Sequence, residues 1–127
     1  MIVGIGIDII EVDRMQRSVQ RFGESFLNRI FTERELKYCN KKSNRYQLFA
    51  VIFAAKEALL KAIGTGLRDG ISWQEIEIIN DKFGKPVIYS RGKCGRIIRK
   101  LCVSRILISL SYTDIYGVAL VVLEQIN

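Results

Sequence analysis

The order of apolar and polar residues divides the chain into strand-like and helix-like stretches. Residues 2–8 are rich in β-branched residues and glycine, which predicts a short buried strand. A long helix is expected from about Tyr46 to Ile63, where apolar residues recur at helical spacing and Gly64 follows as a stop signal. Residues 75–79 alternate between apolar and polar types, which predicts a strand with one solvent-exposed face.

Shorter signals add further elements. Asp13 can cap a helix that begins at Arg14 and stops at Gly23, and a capping box at residues 32–35 opens a second, short helix. Downstream, the pattern predicts a strand at 87–89, a basic helix near 93–102 and a hairpin of strands at 106–110 and 116–123. Helices followed by antiparallel strands predict an α+β fold.

Length and composition restrict the class of protein. The chain has 127 residues, 49% of them hydrophobic, and a single proline, so we expect one domain over residues 1–127. The start lacks the basic region of a signal peptide, and no apolar run approaches the roughly 20 residues of a membrane helix. Three cysteines without metal-ligand spacing are typical of free thiols in a reducing cytoplasm. Histidine, the commonest acid–base side chain, is absent.

Positive charge is concentrated in two stretches of the chain. The formal net charge is +7; residues 14–45 hold nine basic and three acidic residues, and residues 91–105 hold six basic and no acidic residues. Such surfaces suit an anionic partner, whether a nucleic acid, a membrane surface, an acidic protein or a phosphorylated metabolite. A solvated helix face explains a charge run about equally well.

One apolar helical stretch, residues 53–61, carries charged side chains. Glu57 and Lys61 are four residues apart, so they share a helix face. Ionised groups on an apolar helix carry a desolvation cost, which favours a site where an acid holds a metal and a lysine meets a phosphate. An ordinary surface ion pair is the alternative for this spacing alone.

Two further features are weak when taken singly. Residues 4–8, Gly-Ile-Gly-Ile-Asp, end a strand on a carboxylate, and the glycines permit close approach of a backbone or ligand. The third glycine of a dinucleotide fingerprint is missing, and Asp8 could simply begin a turn. Gly84-Lys85-Pro86 could likewise be an ordinary hairpin turn.

Together and in this order, these features resemble the holo-[acyl carrier protein] synthase family, the small 4′-phosphopantetheinyl transferases. The resemblance runs nearly from end to end. It is carried by residues 5–14 (IGIDIIEVDR), 31–36 (FTEREL), 53–66 (FAAKEALLKAIGTG), 76–78 (IEI), 84–86 (GKP) and 109–114 (SLSYTD).

The resemblance implies an α+β transferase fold with an antiparallel sheet packed on helices. The implied reaction moves the 4′-phosphopantetheine group of coenzyme A to a serine of apo acyl carrier protein, and releases adenosine 3′,5′-bisphosphate. It also implies Mg²⁺ dependence, a role in fatty acid biosynthesis, a cytoplasmic location, and homotrimers with active sites between neighbouring subunits. Neither a nucleic acid nor a membrane is an expected partner.

The resemblance also assigns roles to residues. The family's metal-binding acids fall on Asp8 and Glu57. Without histidine, Glu57 is the candidate general base, directly or through a metal-bound water, and Lys61 would stabilise or protonate the leaving group. The residues expected to contact coenzyme A are Lys56, Lys61, Gly64 and Tyr112.

The first helix is expected to bind the acidic carrier protein. Arg14, Arg17 and Arg21 recur at helical spacing and would pair with carboxylates of that partner. Met15 and Phe22 are expected to add apolar contacts.

Two positions depart from the family pattern. Ile52 stands where the family usually has arginine, and Tyr112 stands where it commonly has histidine. Both positions ordinarily help to hold the nucleotide phosphates, so the departures concern nucleotide affinity and not the metal site. Another lysine or arginine would have to supply the missing charge.

Two other functions remain open from the sequence. The charge would suit a small basic nucleic-acid-binding module, although aromatic residues do not alternate with the basic ones as stacking platforms would. A family member that has lost activity is the other alternative, because of Ile52 and Tyr112.

Overall fold

The computed structural model describes residues 1–67 and 70–126. Helices and strands follow one another as β1 (Ile2–Glu11), α1 (Val12–Ile30), α2 (Glu33–Asn40), α3 (Arg45–Ile63), β2 (Ile76–Asn80), β3 (Pro86–Ser90), α4 (Gly92–Lys100), β4 (Arg105–Tyr112) and β5 (Tyr116–Glu124). A 3₁₀ turn, Trp73–Glu75, precedes β2.

The strands form two antiparallel sheets. The larger sheet has the order β1-β5-β4, and β2 and β3 form a separate pair. The helix α3 packs across one face of the larger sheet and is buried along most of its length. This arrangement confirms the predicted α+β fold.

Local signals placed most helix ends correctly. The capping box is present, since Thr32 accepts a hydrogen bond from the Glu35 backbone and the Glu35 side chain accepts one from the Thr32 backbone. Gly64 ends α3 in the left-handed conformation, with φ of +82°.

Gly23 ends the first helical stretch as predicted, because its φ of +62° is non-helical, and a second stretch within α1 then continues to Ile30. The predicted Asp13 cap was wrong, since Glu11 is the N-cap and the helix begins at Val12.

The strand β1 is buried on one face only, which corrects the prediction of a buried strand. The side chains of Ile5, Ile7 and Ile9 are 58–64% exposed. Through the strand register, they lie beside apolar residues of β5 and β4 on the face away from α3. This outer sheet face comprises Ile5, Ile7, Ile9, Leu107, Val118, Leu120 and Val122.

On the opposite face of β1, the strand backbone packs directly against the backbone of α3. A Cβ atom on Gly6 would lie 1.9 Å from the carbonyl oxygen of Ala58, and one on Gly4 would lie 2.3 Å from that of Ala62. Neither position can therefore hold a side chain without separating the strand from the helix. Because alternate residues of a strand share a face, Asp8 points toward the same helix.

A buried ion pair links the elements around α3. Lys56 and Glu35 are both fully buried, and the Lys56 ammonium lies 2.7 Å from the Glu35 carboxylate. The second Glu35 oxygen accepts a hydrogen bond from the Ile78 backbone at 2.7 Å. Burial raises the pKa of Glu35, while the ammonium of Lys56 acts to lower it. Removing one partner would leave an unpaired buried charge, so the pair fixes how α2, α3 and β2 fit together.

No helix among the described residues has the length and apolar character needed to cross a membrane.

We predict that Gly6→Ala destabilises the fold by about 3 kcal/mol or more, because the added methyl group overlaps a helix carbonyl. Gly95→Ala is the matched control. A Cβ atom there would have its nearest neighbours at 3.4 Å, and alanine favours a helix by up to about 1 kcal/mol. Urea denaturation of both variants measures the difference. Equal free energies of unfolding would contradict the close packing of β1 on α3.

Candidate active site

The contact of β1 with α3 brings together three of the predicted side chains. The Lys61 ammonium lies 2.9 Å from Asp8 Oδ1 and donates to the Ile7 carbonyl at 3.0 Å. The Asp8 side chain is only 11% exposed, whereas that of Lys61 is 56% exposed. Lys61 can therefore reach outward to a ligand while Asp8 stays at the base of the site.

Glu57 lies beside the carboxyl group of Asp8. Burial raises the pKa of Glu57 to about 7, and the neighbouring Asp8 carboxyl adds to this rise through a hydrogen bond to the protonated form and through charge repulsion. Lys61 opposes the rise but does not cancel it. The charge of Lys61 therefore does not balance both carboxylates, and a bound cation would reduce the repulsion between them.

One oxygen of Asp8 has no hydrogen-bond partner. When Glu57 is ionised and so cannot donate to Asp8, Asp8 Oδ2 is the one buried side-chain oxygen or nitrogen atom in residues 1–67 and 70–126 that is left without a donor. A buried acceptor without a partner is costly, so its presence points to a ligand that supplies positive charge or a proton.

These two acids fit a magnesium ion. Mg²⁺ prefers oxygen and is commonly held by one or two carboxylates, with water and substrate phosphates as the other ligands. Asp8 and Glu57 provide that number. Within the described part of the chain, no cluster of three or more histidine, cysteine or acidic residues could hold a metal on its own. An ion here would therefore need further ligands from water or substrate.

A cavity of about 540 Å³ opens beside the acids. It is lined by Glu57, Leu60, Lys61, Gly64, Gly66, Leu67 and Trp73. We call it the small cavity. Gly64, predicted to contact coenzyme A, therefore lies next to Lys61, but the apolar residues Leu60, Leu67 and Trp73 were missed. Trp73 reaches the site only through the tertiary fold, where it packs edge-on against Phe53 at 5.0 Å between ring centroids.

Lys56 does not belong to this site, which corrects its assignment to coenzyme A binding. Its three ammonium hydrogens are matched by Glu35 at 2.7 Å and by the carbonyls of Ile30 at 2.8 Å and Trp73 at 3.2 Å. No donor is left for a phosphate, and the side chain is fully buried.

Tyr112 and Ile52 line a second, larger cavity of about 990 Å³. This large cavity lies between α2, α3, β2 and β4 and shares no lining residue with the small cavity. The Tyr112 hydroxyl accepts a hydrogen bond from the Asn44 side chain at 3.0 Å. Within one chain, the structure therefore separates Tyr112 from Glu57 and Lys61.

The basic stripe on α1 forms an exposed surface. Arg14, Arg17 and Arg21 line a shallow depression together with Phe22, whose ring is 56% exposed and lies 5.2 Å from the Arg21 guanidinium. Met15 is only 3% exposed, so the prediction that it contacts a partner was wrong.

Comparison with known proteins gives a consistent family. A sequence model of the 4′-phosphopantetheinyl transferase superfamily matches residues 4–107. Holo-[acyl-carrier-protein] synthases from Geotalea daltonii and Solibacter usitatus are 49% and 47% identical over 125 residues, which is 98% of this chain and 100% of each relative.

Solved structures agree with the sequence matches. Holo-[acyl-carrier-protein] synthase from Neisseria meningitidis superposes with a TM-score of 0.90 at 36% identity, covering 98% of this chain and 100% of that one. The Bacillus anthracis synthase, solved in complex with CoA (3′,5′-ADP), superposes with a TM-score of 0.79 at 38% identity, covering 98% of both chains.

We predict that Glu57→Gln stabilises the metal-free protein at pH 8. The pKa of Glu57 lies near 7 in the folded state, above its ordinary value of 4.5. Ionisation of Glu57 therefore costs stability, and the cost develops between about pH 4.5 and 7 and is complete above that range. The full shift would correspond to about 3 kcal/mol, and solvent screening of this partly exposed group reduces the expected gain at pH 8 to about 2 kcal/mol. The gain should nearly vanish at pH 4.5.

Urea denaturation in the presence of a chelator measures this difference at both pH values. Glu24→Gln, at an exposed position of α1, is the control and should show no such pH-dependent gain. A Glu57→Gln variant less stable than the wild type at pH 8 would disprove the electrostatic cost.

Proposed function

The chain belongs to the holo-[acyl-carrier-protein] synthase family of the 4′-phosphopantetheinyl transferase superfamily, and from this premise we propose its substrates and mechanism. The enzyme transfers the 4′-phosphopantetheine group of coenzyme A to a serine of apo acyl carrier protein. Adenosine 3′,5′-bisphosphate leaves, and Mg²⁺ is required. The observation that carries this proposal is the meeting of Asp8 and Glu57 beside the exposed ammonium of Lys61.

Asp8 and Glu57 would hold the magnesium ion. The unpartnered Asp8 oxygen and the raised pKa of Glu57 both favour a cation between these acids. When bound, Mg²⁺ neutralises charge on the pyrophosphate and helps to orient it for in-line attack.

The transfer forms a bond between the serine oxygen and the phosphorus that carries the pantetheine arm. The bond from that phosphorus to the bridging oxygen breaks, and the electron pair leaves with adenosine 3′,5′-bisphosphate. Glu57 would take the serine proton, directly or through an ordered water, and its position in the lining of the small cavity supports this role. Lys61 lines the same cavity and can stabilise or protonate the leaving phosphate.

The oligomer is proposed to be a homotrimer with each active site shared between neighbouring copies. The outer sheet face exposes three isoleucines of β1 at 58–64%, and such a contiguous apolar face is typical of a protein interface. Since the small and large cavities are separate in one chain, the substrate would span the small cavity of one copy and the large cavity of its neighbour.

The acyl carrier protein is proposed to dock on α1. Arg14, Arg17 and Arg21 present positive charge around the exposed ring of Phe22. Charge complementarity with an acidic partner would speed encounter and set orientation, and the aromatic ring would serve as an apolar anchor. We further propose that residues 1–127 form one transferase domain that works in the cytoplasm and supplies holo acyl carrier protein for fatty acid biosynthesis.

We predict that Glu57→Gln abolishes transfer while the fold is retained, because the substitution removes a metal ligand and the proposed base. Mass spectrometry of apo acyl carrier protein, incubated with coenzyme A, Mg²⁺ and each variant, measures the added phosphopantetheine. The wild type should modify the carrier protein and lose this activity on chelation. Turnover by Glu57→Gln at the wild-type rate would contradict the proposed mechanism.

We predict that two inactive variants complement each other if the site is shared. Glu57→Gln disables the small cavity, and Tyr112→Glu places a negative charge at the rim of the large cavity. After subunits are mixed and exchanged in equal amounts, about one quarter of the shared sites should combine an intact half from each variant. A mixture that stays as inactive as its parents would show that each site lies within one chain.

A further inference from the structure

The 3₁₀ turn before β2 supplies one wall of the small cavity. Trp73 lines the cavity together with Glu57 and Lys61, and its half-buried ring packs edge-on against Phe53. Phe53, Glu57 and Lys61 follow one another at intervals of four residues, so the ring packs on the face of α3 that carries the reactive side chains. The position of this turn relative to α3 therefore determines how the aromatic wall faces those side chains.

Lys56 connects the turn to α3. Its ammonium donates to the Trp73 carbonyl at 3.2 Å and to the Ile30 carbonyl at 2.8 Å, and it pairs with Glu35 at 2.7 Å. The Trp73 carbonyl also accepts a hydrogen bond from the Ile76 backbone, which belongs to the turn itself. The turn can therefore form without Lys56, and the lysine adds a fixed connection between the turn and the helix.

Other hydrogen bonds attach the turn to different elements. The Gln74 side chain donates to the Asn28 carbonyl of α1, and the Arg91 guanidinium donates to the Gln74 carbonyl at 3.0 and 3.3 Å. The Glu75 carboxylate accepts a hydrogen bond from the Cys94 backbone of α4 at 2.9 Å. These bonds connect the turn to α1 and to the start of α4, whereas the Lys56 bond connects it to α3.

The charge of Lys56 is expensive to keep at this position. Lys56 and Glu35 are both fully buried, and an apolar or uncharged pair in their place would avoid the desolvation of two ions. A charged donor makes a stronger and more directional hydrogen bond to a carbonyl than a neutral donor does. An ion pair that served stability alone could be replaced by uncharged residues without loss, whereas a positioning role requires the donor.

We propose that Lys56 is a positioning residue for the transfer reaction. It fixes the backbone of Trp73 to α3, and the indole ring then limits the positions that the bound substrate can take beside Glu57 and Lys61. Orientation of this kind contributes to kcat, and a displacement of about 1 Å can cost a factor of about 100 in rate. This inference rests on the proposed function, because it concerns the orientation of that reaction's substrate.

An uncharged replacement of the ion pair tests the assignment. E35Q/K56M removes both charges together, so no unpaired charge remains in the core, and glutamine suits the third helix position of a capping box as glutamate does. We predict that this variant keeps its fold, loses at least about tenfold in kcat and keeps KM for coenzyme A and for apo acyl carrier protein within about threefold. Circular dichroism checks the fold, and mass spectrometry of the carrier protein over a range of substrate concentrations measures the kinetic constants.

Trp73 provides a spectroscopic readout, because it is the only tryptophan in the chain. Acrylamide quenching of its fluorescence should increase at least about twofold in E35Q/K56M, because the turn is released from α3. Leu123→Ala is the control, since Leu123 is a fully buried residue of β5 that lines neither cavity. It should lower stability by leaving a cavity in the core, and should change quenching and kcat by less than about twofold.

A double-mutant cycle shows whether Lys56 acts through the indole ring. Trp73→Ala should lower kcat by a similar factor, and adding E35Q/K56M to it should lower kcat by less than about a further twofold. Losses that multiply would assign Lys56 a structural role alone and would overturn the inference. Unchanged quenching in E35Q/K56M would overturn it as well.

The remaining outcomes are also decisive. E35Q/K56Q is a second uncharged pair, in which the glutamine amide reaches less far than the lysine ammonium. If neither pair folds, Lys56 serves folding and the inference is wrong. Transfer by the wild type together with an unchanged kcat in E35Q/K56M would defeat the inference alone, whereas a wild type that transfers nothing would defeat the proposed function and this inference with it.

Discussion

The close approach of β1 to α3 is the constraint on which the active site depends. Gly4 and Gly6 let the strand lie against the carbonyl groups of Ala62 and Ala58, where a Cβ atom would overlap an oxygen. Asp8 follows on the same face of the strand, so its side chain lies against the part of α3 that carries Glu57 and Lys61. An acid near the start of the chain and an acid in the longest buried helix thereby become neighbours. The glycines matter here for the space they leave and not for turn formation.

The two charged clusters on α3 differ in how completely their charges are balanced. Lys56 and Glu35 satisfy one another and the surrounding backbone, so this pair holds elements together and has nothing left for a ligand. At the other cluster, Glu57 has a raised pKa and Asp8 keeps one oxygen without a donor. Incomplete pairing lowers the stability of the fold at this cluster. A bound metal ion and a phosphate would complete the pairing and remove that loss.

Sequence reasoning succeeded where the signal was local. The capping box of α2, the glycine stop of α3 and the shared face of Glu57 and Lys61 all depend on residues within one helical turn. It failed where distant elements decide the outcome. Lys56 finds its partners on three other elements. The large cavity likewise forms only when α2, α3, β2 and β4 are packed together, because its lining residues come from all four elements.

Manganese binding tests the central claim most directly, because Mn²⁺ occupies oxygen-ligand sites and is detected by electron paramagnetic resonance. The account predicts that, with coenzyme A present, the wild type binds about one Mn²⁺ per chain and that Mg²⁺ displaces it. Asp8→Asn, checked for a retained fold by circular dichroism, should bind at least about tenfold more weakly. Equal Mn²⁺ affinity in the wild type and in Asp8→Asn would contradict a cation held between Asp8 and Glu57.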